Sequence, residues 1–229
     1  MATLIKKIGV VIAVEIDAFE KKYGKPDEII IIHHQEVMKY ITDKYELYAV
    51  HSGAGEIAAA STTQLLISEF NVDAIFNFGV VGGLTEEISE HRLCVVQNVV
   101  HYDFDTSEVD ECEVGRYLNY PTIYLPTDQN LLKKAIEIAP ELMQVTCASG
   151  DKFIASTEKK KELQQKFHVD ICEMEAAGIV LTCNRNEIPC LLIKMVADGI
   201  ADGAEEFLKE KQKSSEKCLD VFEQVVLQL

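Results

Sequence analysis

Apolar residues along this chain fall in short β-branched runs, each closed by small or polar residues, and the runs alternate with stretches of helical spacing. Ile8–Val14 (IGVVIAV) is the first run and predicts a buried strand that ends on acids. Ile29–His33 and Tyr45–His51 predict two more strands, the second opening into Ser52-Gly53-Ala54-Gly55. Glu56–Phe70 then has helical spacing with an alanine-rich face. Asp73–Phe78 predicts a strand closed by Gly79–Gly83, and Leu93–Val100 another that enters the polar stretch His101–Glu113. Leu131–Ala139 predicts a helix stopped by Pro140, Gln144–Ala148 a strand, and Glu158–Phe167 a charged amphipathic helix. Cys172–Arg185 predicts an apolar helix opening on Glu173-Met174-Glu175. Cys190–Val196 predicts a central strand with Asp198 just past its end, and Glu205–Leu227 a long closing helix.

Strands alternating with helices predict an α/β fold: a three-layer α/β/α sandwich around a mixed, mostly parallel sheet. No repeat, linker or low-complexity tract divides the 229 residues, so one domain over 1–229 is expected. The longest apolar runs fall far short of a membrane span, and residues 1–8 lack the apolar region of a secretory signal. Seven cysteines, an odd number without metal-ligand spacing, point to reduced thiols in a cytoplasmic protein. A net charge of −16 argues against nucleic acid and anionic membranes, both of which require a positive face.

In parallel α/β sheets ligands bind beyond the carboxyl ends of the strands, where Glu15/Asp17, Ser52-Gly53, Gly79–Gly83 and Asp198 would gather. Glu173 and Glu175 stand at the mouth of an otherwise apolar helix. Acids there are favoured by the helix dipole, but a carboxylate also suits vicinal ribose hydroxyls because it only accepts hydrogen bonds. On the residues alone, cap and ligand stay open for this pair.

Three segments carry a resemblance: Ala148-Ser149-Gly150-Asp151-Lys152-Phe153-Ile154, Cys172-Glu173-Met174-Glu175-Ala176-Ala177 and Ala197-Asp198-Gly199. With Ile8–Asp17, Ser52–Gly55 and Gly79–Gly83 in matching order, the chain resembles the 5'-methylthioadenosine/S-adenosylhomocysteine nucleosidases of the purine nucleoside phosphorylase/nucleosidase superfamily. The resemblance implies hydrolysis of the N-glycosidic bond of a purine-type nucleoside, giving free base and pentose, in a cytoplasmic homodimer with no metal or organic cofactor. It implies Asp198 as the acid that protonates the leaving base and Glu175 as the holder of the ribose hydroxyls. Phe153 and Ile154 would meet the base, while Met174, Glu173, Val80, Gly82, Val14, Ala54, Lys194 and Phe207 would line the substrate. The stretch His101–Asp105 would reach the ribose and 5' end, and the partner subunit would complete that pocket.

The matching position for the family's water-activating glutamate is Asp17. Lys194 stands for an arginine, and Val80 and Ala197 for serines. Together these departures predict that another purine or deazapurine nucleoside is preferred to methylthioadenosine. Two other functions bear on the choice. A phosphorylase would grip phosphate with arginines, yet Arg92, Arg116 and Arg185 lie outside the strand-end loops. A binding protein without catalysis would have no need of an acid at the leaving base. The irregular stretch Tyr102–Tyr124, with Phe104, Val114, Tyr117, Leu118 and Tyr120, predicts a subunit contact.

Overall fold

The first strand, β1 (Lys7–Ile12), pairs in parallel with β4 (Glu46–His51) on one side and β5 (Ala74–Gly83) on the other. Its alternation drives Ile8, Val10 and Ile12 into one core and Val11 into a second, so the sheet is apolar on both faces. The structure, a computed structural model, describes residues 7–228; residues 1–6, on which the reading of a secretory signal rested, lie outside them. Among the described residues no helix is long and apolar enough to cross a membrane.

Beyond β5, the sheet turns back on itself. β10 (Cys190–Asp198) is parallel to β5 and antiparallel to β6 (Leu93–His101); β6 is parallel to β8 (Met143–Ser149). β9 (Ile171–Glu173) joins β8 in parallel and returns antiparallel to β5. These five strands therefore close a ring, and the short β7 (Leu125–Pro126) hangs from β6. At the other edge β2 (Glu28–Ile32) and β3 (Gln35–Ile41) extend the sheet antiparallel from β4. The sheet is mixed, and its three longest ladders are parallel.

Helices cover both faces. α1 (Ile16–Tyr23), α5 (Gln129–Ile138) and α8 (Ala204–Gln228) share a core in which Phe19, Leu131 and Phe222 meet Phe76 and Phe78. Each such fully buried side chain contributes roughly 1.5–3 kcal/mol of transfer free energy. α2 (Glu56–Phe70) and α7 (Ala176–Asn186) pack on the opposite face around Leu66, Ile179 and Val180. Two short helices, α3 (Glu86–His91) and α4 (Ser107–Asp110), and the charged α6 (Thr157–Phe167) complete the chain.

Several elements differ from the sequence reading, each for a physical reason. β3 was not foreseen: it pairs with β2 across a turn in which His33 takes a left-handed φ of 54°, a conformation that side-chain patterning does not announce. Gly79–Gly83 is the continuation of β5, because those residues ladder against β10 and β9. Cys172 and Glu173 belong to a strand, and α7 begins only at Ala176, because β8 and β5 supply backbone partners on both sides of β9. The 102–124 stretch is largely folded onto its own chain. Phe104 stacks on Tyr117 at 4.2 Å, and Val114, Tyr117 and Tyr120 pack against the cores, leaving Val109 and Leu118 exposed.

Candidate active site

The ends of β1, β5, β9 and β10 open on one cleft. It is lined by Val14, Glu15, Ala54, Val80, Gly82, Phe153, Glu173, Met174, Glu175 and Phe207, with Asp198 in its adjoining inner recess beside Ile154 and Cys172. Apart from Asp17, Lys194 and the stretch His101–Asp105, every residue expected at the site thus borders this cleft or recess. Phe207, from the first turns of α8, meets Phe153 edge to face with ring centroids 5.1 Å apart.

Asp17 is the correction. It lies in the first turn of α1 with its side chain exposed, where an acid favours the helix dipole. Glu15, two residues earlier, is 4% exposed, and the turn at the end of β1 aims it inward. The Val80 N–H donates to Glu15 Oε1 at 2.9 Å and the Val14 N–H to Oε2 at 3.0 Å. Gly79 makes the room: a Cβ there would stand 2.6 Å from Glu15 Oε1. The inward acid is therefore the first of the pair, and the sequence carried no signal for it, because the glycine that makes its room lies on another strand.

The two carboxylates of the Glu173-Met174-Glu175 segment divide the roles that the sequence left open. Glu173 does the capping. Its oxygens accept the Glu175 N–H at 3.1 Å and the Ala176 N–H at 2.9 Å, and Lys194 Nζ approaches at 3.4 Å. Glu175 faces the cleft, with one oxygen holding the Gly55 N–H at 2.9 Å. Burial, then the charge of Glu173, push its carboxyl up to about 7. Lys194 is fully buried behind both acids, short of the cleft itself. Burial alone would lower its pKa, but Glu173, Glu175 and Glu15 outweigh that and hold the ammonium charged.

A fourth buried acid, Glu56, was not singled out in the sequence. Ser149 Oγ lies in hydrogen-bond contact with Glu56 Oε1 and 2.6 Å from Glu173 Oε1, while accepting the Ala177 N–H at 3.0 Å. One hydroxyl hydrogen cannot serve two carboxylates, so one acid must carry a proton. That acid is Glu56: burial, then the charge of Glu173, push it up to about 8. The neutral acid donates to Ser149, which donates to Glu173, while Glu56 Oε2 accepts the Gly178 N–H. Folded Glu56 thus keeps a proton that the unfolded chain loses near pH 4.5, so stability falls as pH rises from there towards 8. Each pH unit of that window is worth up to about 1.4 kcal/mol. Glu56→Gln preserves every hydrogen bond without the proton. It should unfold at higher denaturant than the parent at pH 8.5 and nearly with it at pH 5; coincident urea curves at both would refute the assignment.

Asp198, at the end of β10, is 1% exposed. Lys160 Nζ, reaching across from α6, donates to its Oδ2 at 2.6 Å, whereas Oδ1 is buried with no hydrogen-bond partner among the described residues. Burial raises its pKa to about 6 against the opposing pull of Lys160. Lys160, wholly buried, had no signal in the sequence, where it reads as one more charge on an amphipathic helix. The stretch His101–Asp105 does not line the cleft; Asp103 is tied to Lys152, which lines the recess, by an ion pair at 2.7 Å.

Known proteins share this fold. A family model described as the phosphorylase superfamily matches residues 7–229. A 5'-methylthioadenosine/S-adenosylhomocysteine nucleosidase of Staphylococcus epidermidis is 30% identical over 93% of this chain and 97% of its own. An aminodeoxyfutalosine nucleosidase of Helicobacter pylori is 27% identical over 94% and 97%. Among solved structures, futalosine hydrolase of Helicobacter pylori superposes with a TM-score of 0.91 at 26% identity, covering 98% of this chain and 99% of that one. The 5'-methylthioadenosine/S-adenosylhomocysteine nucleosidase of Helicobacter pylori, in complex with a pyrrolopyrimidine–pyrrolidinol compound, gives 0.92 at 26% identity, covering 99% and 100%.

Proposed function

This chain belongs to the phosphorylase superfamily, and from that premise we propose that it is a nucleosidase splitting the N-glycosidic bond of a purine-type nucleoside such as 5'-methylthioadenosine or S-adenosylhomocysteine. The observation that carries the reading is the convergence of the buried carboxylates of Glu15, Glu175 and Asp198, with that of the capping Glu173, on one largely apolar cleft. Cleavage builds positive charge on the sugar and negative charge on the base. Asp198 Oδ1, free of any protein donor, delivers a proton to the base as Phe153 packs on its ring. Glu175 accepts the ribose hydroxyls, and its negative charge stabilises the sugar cation. Glu15, fixed by two amides, takes the proton from the attacking water. Water adds at the anomeric carbon, and base and pentose are released.

Hydrolysis is favoured over phosphorolysis by the same geometry. The Val80 amide that a phosphate would seek is engaged by Glu15, and a phosphate would face the charge of that carboxylate. None of the three arginines lines the cleft. Incubating the protein with a panel of nucleosides, with and without phosphate, and measuring free base by chromatography decides between them. Base release that requires phosphate would refute the reading. With Glu15 as the inward acid the departure at Asp17 falls away, while those at Lys194, Val80 and Ala197 still allow another purine-type nucleoside beside methylthioadenosine. Methylthioadenosine should therefore be turned over with kcat/KM above about 10⁵ M⁻¹s⁻¹.

Two further parts of the reading concern the protein's setting. Seven free thiols agree with a reducing, cytoplasmic location. Val109 and Leu118, apolar and exposed, suit a homodimer contact, and the cleft mouth with exposed Leu208 is open for a partner subunit to complete. Sedimentation at micromolar concentration should give twice the 25.6 kDa chain mass.

A further inference from the structure

A lysine with no exposed surface requires an explanation, because burying an ammonium costs several kcal/mol unless all its protons are taken. Lys160 has three close acceptors: Asp198 Oδ2 at 2.6 Å, Gly199 O at 2.6 Å and Asp202 O at 3.1 Å, with Asp198 O at 3.5 Å. Three acceptors require three N–H donors, so the group sits there as ammonium. It ties α6 to the turn after β10 and pins one oxygen of Asp198, leaving the other buried and unpartnered. Asp198 Oδ1 is an acid's oxygen with no partner among the described residues, at the recess shared with Phe153 and Ile154.

We propose that Lys160 is the positioning residue of the reaction's acid: it holds Oδ2 back, leaves Oδ1 to carry the transferred proton, and stabilises the carboxylate that remains. The inference rests on the reading of Asp198 as that acid. As the glycosidic bond breaks, its electron pair goes to the base and the proton on Oδ1 follows it. Asp198 is left as carboxylate beside the Lys160 ammonium. The proton that water gives to Glu15 returns to solvent, and Asp198 takes one back. Without Lys160, burial would hold the proton on Asp198 more tightly and make it a weaker acid. The other groups facing Asp198 are Asp202 from the turn after β10 and Cys172 from β9, with Lys152 and Glu173 at the rim of the recess.

Lys160→Met fills the same space without charge, and Lys160→Arg keeps the charge. With methylthioadenosine, the Met variant should lose about tenfold or more in kcat with KM little changed, and the alkaline limb of its kcat/KM profile should move up by about one pH unit or more. The Arg variant should return the limb towards its original place. A lower kcat with an unmoved limb would mean a purely structural role and overturn the proposal. A second readout does not need turnover: ¹³C NMR of labelled aspartate should show the Asp198 carboxyl titrating at higher pH in the Met variant than in the parent. Identical titration overturns the proposal even if the parent splits no nucleoside, whereas parental inactivity with the expected titration shift overturns the nucleosidase reading alone.

Discussion

Asp198→Asn is expected to lower kcat for base release by roughly 10²–10⁴-fold, about 3–5 kcal/mol of barrier, while nucleoside binding persists. The amide keeps the shape of the carboxyl and can still hydrogen-bond, but it has no proton to give. The substitution also strips Lys160 of its counter-ion, leaving it to the Gly199 and Asp202 carbonyls, so the variant should melt at lower temperature. Kinetics must therefore be read well below its melting point, with binding measured separately by calorimetry. In the parent, Asp198 loses its proton near pH 6, so kcat/KM should decline as pH rises through that value. A variant retaining more than about a tenth of the parental kcat, a barrier change under about 1.4 kcal/mol, would exclude general acid catalysis by this residue.

Glu15→Gln is expected to be about as damaging, and Asp17→Ala to leave activity within about twofold. The carboxylate of Glu15 accepts two backbone N–H groups and retains lone pairs for water, whereas a glutamine must turn its NH₂ towards one of those donors. It cannot take a proton, and it leaves a buried amide unpaired at a cost of about 1–3 kcal/mol. Asp17 is exposed on α1, where its removal costs only a few tenths of a kcal/mol of dipole interaction. Steady-state kinetics on both variants with one nucleoside separates the two acids. An active Glu15→Gln beside an inactive Asp17→Ala would reverse the assignment drawn from the structure.

The chain's own pattern determined the order of strands and helices, because an apolar run or a helical face is a property of neighbouring residues. α2 spans Glu56–Phe70 as its spacing predicts, and β1, β4, β6, β8 and β10 stand where their β-branched runs do. The rule that ligands bind beyond strand ends likewise points to the rim, and the motifs around Glu175 and Asp198 place both residues there, where the cleft and its recess lie. What tertiary structure alone decided were the directions of single side chains and the partners of buried charges. Whether Glu15 or Asp17 points inward depends on the few dihedrals of the turn leaving β1, and on Gly79 from another strand giving it room. Glu173 became a cap and Glu175 turned to the cleft because β9 runs through the first and ends before the second. Lys160 meets Asp198 across 38 residues of sequence, and Glu56 meets Ser149 across 93. No local periodicity encodes such pairs. They are chosen by the closure of the ring of strands, which excludes water and leaves each buried charge or proton only the partners that the fold brings to it.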